Sequence, residues 1–145
     1  ISGVAKRLKE KLGNKVQVIG VDPHGSLLAK GNEEVYNYDV EGIGYDFIPD
    51  VLNRDNIDDW VKTTDKEAFT MARELIRYEG LLIGGSSGSI MFGAIQAIQG
   101  NTLLNKTKPL KKGEKCIIIL PDSARNYMTK FINDDWMIEH NYIHK

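Results

Sequence analysis

Three short apolar runs, VQVIGV at 16–21, LLI at 81–83 and CIIIL at 116–120, are separated by stretches of helical periodicity. Apolar runs without polar alternation suit strands buried on both faces. Buried strands that alternate with amphipathic helices restrict a chain severely, because parallel strands need crossovers and helices must cover both sheet faces. The pattern predicts an α/β fold, an open and mostly parallel sheet with flanking helices. Three strands make a small sheet, and a chain that starts in mid-unit needs partner strands from elsewhere.

The helical stretches carry their own punctuation. Residues 4–12 place Val4, Ala5, Leu8 and Leu12 on one face, and Gly13-Asn14 ends the turn. Thr64-Asp65-Lys66-Glu67 has the form of a capping box. It opens a helix running to about Tyr78, with Ala68, Phe69, Ala72, Leu75 and Ile76 as its buried stripe and Gly80 as its stop. GGSSGS at 84–89 leads from the second apolar run into a helix carrying Ile90, Met91, Ala94, Ile95 and Ile98, ended by Gly100. A last helix is expected after Pro121-Asp122-Ser123, with Tyr127, Met128, Phe131 and Ile132. Residues 31–60 show no sustained period and read as a structured loop, and 101–115 as a polar, Lys-rich one.

Composition excludes several classes. The 145 residues fit one domain, and a net charge of −1 gives no electrostatic reason to expect nucleic acid or a membrane surface. The Lys clusters near 6–11 and 106–112 read as solvated surface. The single cysteine, Cys116, permits no internal disulfide and, inside an apolar run, reads as inert core. No apolar run approaches the roughly 20 residues that span a bilayer. The beginning, ISGVAKRLKEK, has no signal-peptide pattern and no initiator Met, which suggests a chain cut out of something longer.

Three loops fall at the carboxyl ends of expected strands or in the unassigned stretch. GGSSGS sits between a strand and a helix, where backbone N–H groups favour anions and where open α/β sheets bind ligands. It lacks the Lys of a nucleotide P-loop and the glycine spacing of a dinucleotide fingerprint. The plain alternative is a glycine turn that lets a helix pack tightly on a strand. EGIGYDF at 41–47 allows close backbone approach at Gly42 and Gly44, with Tyr45 as a donor or lid, or else it is a mobile surface loop. LPDSARNY at 120–127 follows the strongest strand signal, or is simply a helix start capped by Asp122 or Ser123. No nucleophile–base pair is evident. His140 and His144 have i, i+4 spacing but no third ligand in view, so no metal site is expected.

VQVIGVDPHGS, EGIGYDFIP, EGLLIGGSSGS and IILPDSARNYMTKFINDDWM occur in that order, and together they resemble the second half of the catalytic domain of the cystathionine β-synthase family. The similarity covers essentially the whole chain and is weakest over 99–113. It implies a fold-type-II pyridoxal-phosphate domain of the tryptophan-synthase-β and cysteine-synthase superfamily, with residues 1–145 as its C-terminal half. It also implies a cytoplasmic homodimeric lyase of transsulfuration and cysteine biosynthesis, condensing serine with homocysteine to cystathionine.

By the same resemblance Ser86, beside Gly85, accepts the pyridine nitrogen of the cofactor, and Pro121 lines that end of the ring. Gly42, Gly44 and Tyr45 form the loop over the bound amino acid. The family's Schiff-base lysine belongs to the first half of the domain, so no residue here is assigned as catalytic and the isolated chain is expected to be inactive. Haem is possible in the parent protein but not from this chain. The alternatives are a cysteine synthase or serine dehydratase activity, a non-catalytic module of the same family, and an unrelated α/β domain that binds a small molecule.

Overall fold

In a computed structural model, residues 1–29 and 34–144 are described. The chain forms helix α1 (Ser2–Leu12), strand β1 (Ile19–Pro23), strand β2 (Asp59–Thr63), and helices α2 (Asp65–Glu79), α3 (Gly85–Gln99) and α4 (Asp134–Glu139). The fold is α/β, as expected, with β1 and β2 paired in parallel and Ile19 opposite Asp59 through Pro23 opposite Thr63. None of the described helices is long and apolar enough to cross a membrane.

The pair is held from both faces. On one, α3 lies against β1 so closely that a Cβ at Gly93 would stand 2.5 Å from a Val21 methyl. On the other, the Trp60 ring covers Gly20, where a Cβ would meet ring carbon at 2.3 Å. Trp60 joins Ala29 and Ile57 in a small core there.

The larger core joins α2 to the C-terminal segment. Ala68, Phe69, Ala72 and Leu75 of α2 pack with Ile83, Tyr127, Phe131 and Met137. Phe69 stacks on Phe131 at 5.3 Å and meets Trp136 edge-on at 5.5 Å. The capping box at Thr64 and Glu67 is present, and Gly80 ends α2 in the left-handed conformation.

Several expected elements differ. β1 starts three residues later than the apolar run and takes in Asp22-Pro23, which had read as a turn. β2 begins at the end of the stretch 31–60 that reads as loop, of which 31–33 lie outside the described residues, and continues to Thr63. Residues 81–83 supply only an isolated antiparallel bridge, Ile83 with Ser123. Residues 116–120 form no strand, and Ile117 and Ile119 are 88% and 64% exposed. Among the described residues no ladder reaches them, and a lone strand has nothing to satisfy its backbone or cover its side chains. Cys116 is accordingly exposed, not core. Val4 and Leu12 of α1 are also exposed, leaving Ala5 as its buried residue.

The expected last helix is only a 3-10 turn, Ala124–Tyr127. A new start interrupts it: the Asn133 side chain accepts from the N–H groups of Asp135 and Trp136 and opens α4.

Candidate active site

The turn at 84–89 begins α3 with Gly84 as N-cap, and no side chain caps that end. The first-turn N–H groups of a helix have no intrahelical partners, and the dipole is positive there. Ser86, Ser87 and Ser89 are all buried in these first residues. Ser89 shares a 2.6 Å hydrogen bond with Thr63 at the end of β2. The Ser87 Oγ is buried and has no partner among the described residues.

The glycines of this turn have packing tasks. A Cβ at Gly88 would stand 2.0 Å from the Ala68 carbonyl oxygen, and one at Gly85 would meet the Phe69 ring at 2.7 Å. Tight packing, the plain reading of GGSSGS, is therefore real, but the partner is helix α2 rather than a strand. It accounts for Gly85 and Gly88 and leaves the serines for other work.

The loop at 121–127 closes on the same turn. The Gly84 N–H donates to the Asp122 carbonyl at 3.3 Å. The Asp122 carboxylate lies against Gly84, where a Cβ would meet its Oδ1 at 2.0 Å. Asp122 Oδ2 accepts from the Tyr127 hydroxyl at 2.5 Å, while Oδ1 is buried with no partner among the described residues. Burial, that hydrogen bond and the charges of Asp122 and Glu41 push the Tyr127 phenol far above its usual range, so it stays a neutral donor. Pro121, at the start of this loop, is exposed.

The third loop joins them. Glu41 pairs with Lys130, and Ile43 packs on the larger core. Gly42 and Gly44 have φ of 81° and 79°, values that favour glycine. At Gly44 a Cβ would also collide with the Tyr38 hydroxyl at 2.4 Å and Pro23 at 2.6 Å. Tyr45 is half exposed, its ring 5.0 Å from that of Phe47. Of the three loops singled out in the sequence, 84–89 and 121–127 meet directly through Gly84 and Asp122, while 41–47 reaches the C-terminal segment through Glu41–Lys130 and the larger core and otherwise rests on residues 23–27 and Tyr38.

The buried serines, the helix start without a side-chain cap and two buried oxygens with no partner among the described residues gather polar groups at the start of α3, a chemistry that suits a basic ring nitrogen or an anionic group. A family model described as "Pyridoxal-phosphate dependent enzyme" matches residues 1–122. The chain belongs to that family. Its cofactor is pyridoxal phosphate, and the observed fold agrees with the fold-type-II members.

A cystathionine beta-synthase of Dictyostelium discoideum is 53% identical over 146 residues, covering 99% of this chain and 27% of that protein. A cysteine synthase of Helicobacter pylori is 37% identical, covering 90% of this chain and 39% of that protein. The solved O-acetylserine dependent cystathionine beta-synthase from Helicobacter pylori superposes with a TM-score of 0.70 at 34% identity, covering 89% of this chain and 38% of that one. The chain thus spans about a quarter of the length of the cystathionine beta-synthase it matches.

Sequence reasoning missed Asp22, Ser26 and Lys62, which are buried together beside Tyr45. The available signal was Asp22-Pro23 directly after an apolar run. A charged residue at that place is a strand end facing a ligand edge as readily as it is a turn.

Proposed function

We propose that this chain is the C-terminal half of the catalytic domain of a pyridoxal-phosphate lyase that joins serine to homocysteine, giving cystathionine and water. The observation that carries the reading is that the turn bearing buried Ser86 is joined to the 121–127 loop through Gly84 and Asp122. The high identity to a cystathionine beta-synthase across nearly the whole chain supports it.

In this reading Ser86, beside Gly85, holds the pyridine nitrogen, and Pro121 lines that end of the ring. When bound, the cofactor supplies an electron sink for loss of the serine hydroxyl. A neutral hydroxyl at Ser86 holds the ring nitrogen without stabilising its protonated form as a carboxylate would, which moderates that sink and suits elimination. The positive start of α3 carries Ser86 within its first turn. The Gly42–Gly44–Tyr45 loop covers the bound amino acid and excludes water. The lysine that carries the cofactor lies in residues outside these 145, so this chain alone is inactive. The complete protein acts as a cytoplasmic homodimer in cysteine biosynthesis.

Cysteine synthase activity is the second reading, favoured by the Helicobacter pylori cysteine synthase. Serine dehydration is a variant of the same elimination, and a non-catalytic module remains the alternative outside catalysis.

The test uses the complete protein with serine and homocysteine, then with O-acetylserine and sulfide. Cystathionine from the first pair supports the lyase; cysteine from the second alone moves the assignment to a cysteine synthase. Ser86→Ala lowers cofactor affinity about tenfold, the worth of one hydrogen bond of roughly 1.5 kcal/mol. An unchanged affinity removes Ser86 from the cofactor site.

A further inference from the structure

Asp22 and Lys62 stand opposite each other in register near the carboxyl ends of β1 and β2. Their side chains are 1% and 4% exposed, with Lys62 Nζ 2.8 Å from Asp22 Oδ2. The same ammonium donates to the Ser26 carbonyl at 2.8 Å, and the Ala29 N–H donates to Asp22 Oδ2 at 3.1 Å. Asp22 Oδ1 accepts the Ser26 hydroxyl proton at 2.7 Å.

A hydroxyl has one proton and two lone pairs. With its proton given to Asp22, Ser26 Oγ can only accept, and it accepts from the Tyr45 N–H at 3.0 Å and the Leu28 N–H at 3.3 Å. The Tyr45 carbonyl in turn accepts from the Leu27 N–H at 2.8 Å. Both backbone groups of Tyr45 are thus held by residues 26 and 27, and residue 26 is itself oriented by a buried ion pair. Removing a charge pair from water costs about what the pair regains, so such a pair adds little net stability. What it supplies is one fixed geometry.

We propose that Asp22, Ser26 and Lys62 are positioning residues that anchor the Tyr45 loop at the ends of the two strands. The loop bends at Gly42 and Gly44 and returns to the same seat because Ser26 presents an oriented acceptor to the Tyr45 amide. The purpose of the anchor rests on the substrate-loop role proposed above; its existence does not.

The test is amide hydrogen exchange in the complete, cofactor-loaded enzyme. In the unaltered protein the Tyr45 amide exchanges as slowly as the β1 amides and at least about tenfold more slowly than those of Gly42 and Gly44, the worth of one net hydrogen bond. Equal rates at Tyr45 and its glycine neighbours overturn the proposal without any variant. In Ser26→Ala, exchange at Tyr45 rises about tenfold while the α2 and α3 amides are unchanged, and Ser26→Thr restores slow exchange. Unchanged Tyr45 exchange in Ser26→Ala also overturns it. The amino-acid KM then separates the two ideas. A KM that rises while kcat holds supports the anchor together with the substrate loop. Loosened exchange with KM unchanged supports the anchor and removes 42–47 from substrate binding.

Discussion

Residues 59–63 and residues 116–120 make an instructive pair. DWVKT contains an aspartate and a lysine, yet it is a buried strand, with Asp59 fully covered. CIIIL is apolar throughout, yet it is unpaired and leaves Ile117 and Ile119 in solvent. The difference lies in partners. Asp59 accepts from the Thr102 hydroxyl at 2.7 Å and from the N–H groups of Leu104, Lys106 and Trp60, each at 2.8 Å. Lys62 has Asp22. Polar side chains enter a sheet when every donor and acceptor is matched, whereas apolar ones stay outside when nothing lies against them.

The largest effects are expected in the core between α2 and the C-terminal segment. Phe131 is fully buried against Phe69 and Tyr127. Phe131→Ala should destabilise the chain by about 4 kcal/mol in urea unfolding, from lost burial plus the cavity left. A cost near that of a surface change would mean that the C-terminal segment is not packed as described. Gly88→Ala comes next, at about 3 kcal/mol, because the new methyl meets the Ala68 backbone oxygen rather than a flexible side-chain end.

Asp59 tests the polar side of the contrast. Burial pushes its carboxyl up, but hydrogen bonds from Leu104, Thr102, Trp60 and Lys106 outweigh burial and leave it below the ordinary value of 3.8. A lowered folded pKa gives stability that is fully present above the unfolded value and lost as pH falls through the folded one. Asp59→Asn should therefore cost about 2 kcal/mol near neutrality. It should also flatten the fall in stability as pH drops through and below the ordinary carboxylate range. Equal pH slopes for the two proteins would show that other carboxylates carry the acid response.

This contrast also explains what the sequence disclosed. Helix α2 was legible from Thr64 to Gly80 because its cap, stripe and stop are local. The three loops of the site were legible as glycine- and proline-rich joints between elements. β2 was not, because Asp59 and Lys62 look like loop residues until their partners, 43 and 40 positions away in sequence, are in place. The same long range hid the Asp22–Ser26–Lys62 anchor. CIIIL failed in the opposite sense: its pattern reads as a strand, but a pattern cannot provide a neighbouring strand, and among the described residues none pairs with it.

The smallest effect on this chain is also the most telling for the proposed half-domain. Ile117 and Ile119 are large apolar side chains left in solvent on one extended segment. Apolar side chains exposed in this way favour association. Ile117→Lys with Ile119→Lys should change the stability of the 145-residue chain by no more than about 0.5 kcal/mol, since neither residue is buried. Sedimentation should nevertheless show less self-association than in the unaltered chain. In the complete protein, where the remainder of the domain is proposed to cover this segment, the same double change buries two charges and should cost at least about 3 kcal/mol. A small cost in both contexts would mean that 116–120 is an exposed segment of the whole enzyme. A large cost in the short chain would mean that the strand is already covered there.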